Sequence, residues 1–140
     1  MAFNLDVLSQ DEGISRYITE KSKLRPGLGR PRYNAFMPPQ NRRLSVCRSQ
    51  DLSEVEVWGI GDEFVGTQQK PVIARADISV TDITRDFSAA PSPIAAEPLR
   101  VEPDFQPYPR HANVVNWPDD ETIQRAIAVE LANIANLVQR

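Results

Sequence analysis

An α+β fold is what this sequence predicts: a small mixed or antiparallel sheet of about four strands packed under one long C-terminal helix. Three observations lead there. Four short runs alternate apolar and polar residues with the two-residue period of a strand. One stretch near the C-terminus repeats apolar residues at helical spacing. The length of 140 residues, 41% hydrophobic and 25% charged, suits a single domain over 1–140 that buries roughly two-thirds of the surface its unfolded chain exposes.

Residues 23–40, the first distinctive stretch, are rich in proline and glycine, which excludes a helix or central strand and predicts an irregular arm anchored by Phe36. Leu44–Ser49 then alternates, with Leu44, Val46 and Arg48 on one face and Cys47 on the other. Ser53-Glu-Val-Glu56 reads as a capping box with Leu52 and Val57 placed as its hydrophobic staple, so a short helix is predicted over Glu54–Ile60, ended by Gly59 or Gly61. Pro71–Ile78 gives the clearest strand, with Val72, Ala74, Ala76 and Ile78 in phase. Behind Ser79, whose hydroxyl can cap a helix, Val80, Ile83 and Phe87 recur at helical spacing.

Three prolines make 89–98 a Pro/Ala-rich surface loop. Leu99–Glu102 and Ala112–Asn116 complete the strands. Pro118 suits a first helical turn, and Asp119, Asp120 and Glu121 lie at its positive end. From there a helix to about Gln139 is predicted, with Ile123, Ile127, Leu131, Ile134 and Val138 as its buried stripe. The same stripe would serve a homodimer, but packing against the sheet is the preferred reading.

Composition excludes several classes. No apolar run approaches the roughly 18 residues of a spanning helix, so no membrane is expected. Met1–Glu12 holds three acidic residues and no basic one, unlike a secretory leader. A single cysteine excludes an internal disulfide and suits a reducing, cytoplasmic setting. One His and one Cys make zinc a poor fit, and the glycine pairs lack the lysine and spacing of phosphate-binding loops. No metal and no cofactor are expected.

Charge is uneven. Residues 1–50 hold nine Lys/Arg against four Asp/Glu, and 51–140 hold seven against fifteen, balances of +5 and −8 that sum to −3. A basic cluster between Arg16 and Arg48 can draw phosphate groups, or can simply pair with the acidic remainder of the domain. His111, the only histidine, lies between a proline-rich approach and the long helix. Taken in phase with Val115 and Trp117, it should share the core-facing side of the sheet with Arg48, whose permanent charge needs a partner: Asp77 or a bound anion.

These positions define the candidate site. Arg16, Arg48 and Arg110 would bind a phosphate or carboxylate, with His111 as the candidate catalytic proton donor or acceptor. Tyr17, Tyr108 or Trp117 would stack on a base. A Cys47–His111 nucleophilic pair would require neighbouring strands and is disfavoured.

The segments Ser15–Ile18, Ala35–Pro38, Leu44–Arg48, Leu52–Trp58, Ala74–Ile78 and Pro109–Ala112 through Trp117-Pro118 resemble a family of small bacterial proteins. The resemblance covers most of the chain from about residue 14 and implies a bacterial or phage source, with no chemistry attached. The expected function is therefore read from charge alone. It is a domain binding an anionic, phosphate-bearing ligand, a nucleotide or RNA end, with catalysis undecided; the alternative is a non-enzymatic module that docks a protein partner.

Overall fold

The computed structural model describes residues 4–25, 27, 29–89 and 93–140. Its framework is a six-stranded antiparallel sheet built from β1 (Gly13–Ile18), β4 (Leu44–Arg48), β5 (Ala74–Ser79), β6 (Arg100–Pro103), β7 (His111–Val115) and β8 (Asn136–Gln139). The order across it is β6-β7-β4-β1-β5-β8. A separate two-stranded hairpin, β2 (Leu24–Arg25) with β3 (Arg30–Pro31), interrupts the arm. Helices α1 (Glu54–Phe64), α2 (Val80–Ile83) and α3 (Glu121–Ile134) complete the fold. Among the described residues no helix is long and apolar enough to cross a membrane.

The α+β class is as predicted, but the sheet has six strands rather than about four. β1 sits between β4 and β5 and carries Ile14 and Ile18 into the core. Its alternation is hidden in the sequence by Arg16, which interrupts the apolar face. β8 replaces the expected end of the long helix. The helix stops at Ile134, Ala135 turns extended (φ −63°, ψ 146°), and the next four residues pair with β5 at the sheet edge. Val138 thus matches the helical stripe by spacing while belonging to a strand.

Alternation places Ile14, Val46, Ala76, Ile78, Ala112 and Val114 on one face, where they pack with Ile127, Ala128, Leu131 and Ala132 of α3. Phe36 anchors the arm in that core at 1% exposure. Around it the arm is made of single turns, Lys21–Lys23 and Tyr33–Ala35, and the small hairpin. Pro26 and Leu28 of the arm, and 90–92 of the proline-rich loop, lie outside the described residues.

The opposite face is not bare. Tyr17, Cys47, Val57, Val72 and Tyr108 form a second, smaller cluster under α1. The capping box is complete: the Glu56 amide donates to Ser53 Oγ at 3.2 Å and the Ser53 amide to Glu56 Oε1 at 3.1 Å. The helix nevertheless runs through both glycines to Phe64. Gly61 is a packing position, because a Cβ there would come 2.7 Å from the Tyr17 ring.

Candidate functional site

The residues predicted to converge on one anion are distributed over both faces of the sheet. Arg48 points into the core at 0% exposure, opposite Ile14. Its Nε and Nη2 donate to the two carboxylate oxygens of Glu12, each at 3.0 Å, and further donors reach the carbonyls of Leu5 (2.6 Å) and Val7 (3.0 Å). Glu12, itself 3% exposed, precedes β1, and antiparallel pairing of β1 with β4 brings it beside Arg48. Asp77, the expected partner, lies on the other face and bonds Ser15 and Arg75 instead. Arg48 therefore ties the N-terminal segment to the sheet.

His111 pairs in register with Cys47, the neighbour of Arg48. Successive strand residues face opposite ways, so His111 and Arg48 share no cleft. The expected phase breaks at Asn116, whose left-handed backbone (φ 69°) resets the alternation. Trp117 thereby turns into the main core while Val115 stays on the face of His111.

The Cys47–His111 pairing brings together the two members of the disfavoured dyad. The backbone bond Arg48 N to Arg110 O at 2.7 Å makes theirs a non-hydrogen-bonded pair, the kind whose side chains approach most closely. Yet the chemistry is that of a packed core. His111 Nδ1 is engaged by the Asp104 carbonyl at 3.0 Å, and its ring meets Tyr108 edge-on with centroids 5.4 Å apart. Burial pushes the Cys47 thiol up to about 11, the neighbouring Tyr17 hydroxyl, the charge of Arg110 and the Tyr108 hydroxyl only partly offsetting it. A thiol so protonated at neutral pH is a poor nucleophile.

The remaining predicted residues are also occupied. Arg110 pairs with Asp51 and holds that carboxyl below its ordinary range. Arg16 donates to the carbonyls of Ala35 and Ser45, each at 3.0 Å, close to where the β1–β4 ladder ends. The Tyr17 hydroxyl donates to the Val57 carbonyl. Tyr17, Tyr108 and Trp117 are each about 95% buried, so none is presented to a base.

A different set of basic residues is brought together at the arm. After residue 50, Lys70, Arg75, Arg85, Arg100, Arg110 and Arg140 all form ion pairs, and Arg125 forms none among the described residues. Before residue 50 only Arg42 and Arg48 do so, again among the described residues. Lys21, Lys23, Arg25, Arg30 and Arg32 have no carboxylate at ion-pair distance among the described residues, and they occupy one continuous stretch. Arg25 and Arg30 stand directly opposite each other in the hairpin, a like-charge placement that disfavours the pairing it sits in. The turn between them is made by Gly27 (φ 77°) and Gly29 (φ 61°), conformations that glycine adopts without cost. Lys23 titrates below its ordinary range, through burial first and the charge of Arg16 second.

This stretch borders a groove of about 190 Å³. Pro31, Val129 and Ala132 give it apolar walls, Arg25, Arg32 and Asn133 polar ones, and Tyr33 lies along it. Tyr33 is 37% exposed, and its ring carries the Arg125 guanidinium 5.7 Å from its centroid, within cation–π range. The basic run is visible in the sequence, but the Tyr33–Arg125 pairing is not, because Arg125 is 92 residues from Tyr33 in the chain (125 − 33) and only folding brings them together. Comparison of the chain with family models, curated proteins and solved structures finds no match.

Proposed function

We propose that the protein is a binding domain for an anionic, phosphate-bearing ligand, seated on the basic face formed by the arm and α3. One observation carries the proposal. Lys21, Lys23, Arg25, Arg30, Arg32 and Arg125 form no ion pair among the described residues, although the rest of the chain has an excess of carboxylates and uses them on nearly every other basic side chain. Unpaired cations gathered on one surface raise its potential and attract anions. The Arg25–Arg30 opposition points the same way, since a folded protein gains nothing from it and a bound phosphate would relieve it.

The alternative, docking of a protein partner, has Phe64, Val65 and Phe105 in its favour, each more than a third exposed. Exposed apolar side chains of that number are ordinary on a protein surface. Charge is the more specific signal.

Inorganic tripolyphosphate tests the proposal. At low salt it should raise Tm, because a ligand bound only by the folded form stabilises that form, and added salt should erase the effect. Arg30→Glu should abolish the shift while raising the Tm of the unliganded protein, by turning a like-charge pair into an ion pair. An unchanged wild-type Tm across the tripolyphosphate titration would refute the reading.

A further inference from the structure

We infer that the ligand of this face is single-stranded nucleic acid, with an unpaired base against Tyr33 and successive phosphates on the flanking arginines and lysines. The inference rests on the anion-binding reading above and adds to it the shape of the groove and the spread of the charges. Lys21 and Lys23 lie on a single turn, Arg25 and Arg30 in the hairpin, Arg32 at the start of the Tyr33–Ala35 turn, and Arg125 on α3. Six cations distributed over four elements exceed what one phosphate group can neutralise. A chain of phosphates, one charge per nucleotide, matches them.

Charge alone would suit any polyanion. The groove narrows the choice. Pro31, Val129 and Ala132 give it apolar walls beside the half-exposed Tyr33 ring, and an aromatic ring next to an arginine-rich track is the chemistry on which a planar base stacks. Asn133, which also lines the groove, offers an amide donor and acceptor to a base edge. Arg125 over the Tyr33 ring helps hold that ring in place. In a duplex the bases are paired and stacked on one another, so their faces are withheld from such a platform. Polyglutamate and inorganic polyphosphate have no aromatic ring to place there.

Fluorescence anisotropy on the full chain separates these cases. The probes are a labelled single-stranded pyrimidine oligonucleotide, made as DNA and as RNA, a duplex of equal length and an abasic strand of equal length. Polyphosphate and polyglutamate serve as competitors. For the wild-type protein the abasic strand should bind about tenfold more weakly than the base-bearing one, the loss expected for one stacked base. Tyr33→Leu should lose about tenfold for the base-bearing strand and nothing for the abasic strand, and Tyr33→Phe should keep full affinity. Arg125→Gln should lower the magnitude of the slope of log affinity against log salt by about 0.7, the share of one phosphate on a single strand. Tight binding of either sugar type supports the inference. If the duplex, the abasic strand or polyglutamate binds as well as the single strand, the inference is overturned while the anion reading stands. If neither oligonucleotide nor polyphosphate binds at low salt, both fall.

Discussion

Arg48 is the largest fully buried side chain among the described residues, and a guanidinium in that position cannot lose its charge to suit its surroundings. Its stability role comes from the groups it holds: both oxygens of Glu12 and the carbonyls of Leu5 and Val7. Replacing it with Met keeps a long side chain there but leaves the buried Glu12 carboxylate and the carbonyls of Leu5 and Val7 without the guanidinium. Such a loss costs about 3–5 kcal/mol. Urea unfolding of Arg48→Met should show a fall of that order with no ligand present, and the double variant Arg48→Met/Glu12→Met should recover most of it. A single variant as stable as the wild type would show that the ion pair contributes nothing. The sequence shows that Arg48 faces the core and needs a partner. It does not show which one, because Glu12 becomes a neighbour only through the pairing of β1 with β4.

Glycines in α1 separate local propensity from packing. Gly59 faces open space, whereas a Cβ on Gly61 would meet the Tyr17 ring at 2.7 Å, and that ring is held by its hydroxyl bond to the Val57 carbonyl within the same helix. Gly59→Ala should therefore stabilise the protein by up to about 1 kcal/mol, the helical advantage of alanine over glycine. Gly61→Ala gains the same propensity but forces the helix away from the sheet, so its net effect should be destabilising. Thermal melts of the two variants should move in opposite directions, and equal shifts would show that Tyr17 does not constrain α1. At this scale the sequence is legible wherever one period governs one face. Alternation locates β4, β5, β6 and β7, and Ser53 and Glu56 mark the start of α1. It fails where one signal imitates another: glycines that serve packing look like helix ends, and Val138 of β8 falls in step with α3. β1 is hidden because Arg16 interrupts its apolar face and turns its donors to carbonyls. The candidate site is harder still, since its charges are visible as a run while its aromatic and its last arginine come from segments far apart in the chain.

The whole molecule depends on the chain beyond Pro118. α3 supplies Ile127 and Leu131, both at 0% exposure, to the main core, and β8 closes the edge of β5. Each fully buried branched side chain contributes on the order of 1.5–3 kcal/mol, so the loss of α3 removes stability comparable to the roughly 5–15 kcal/mol that an entire domain retains. A chain ending at Pro118 should not fold. A chain ending at Ala135 asks a finer question, because it keeps α3 and loses only β8 and Arg140, whose guanidinium pairs with Asp62 of α1. That variant should still unfold cooperatively, at a lower Tm. Its exposed β5 edge offers unpaired amides and carbonyls to another copy, the usual route to edge-to-edge association. Light scattering should therefore detect more self-association in this variant than in the full chain. A monomeric variant with unchanged Tm would mean that β5 needs no cover. The basic face is a separate matter, since the arm is anchored through Phe36 and α3. Oligonucleotide affinity should survive removal of 136–140, because the arm and α3 stay in place, so this truncation divides the sheet edge from the surface that binds.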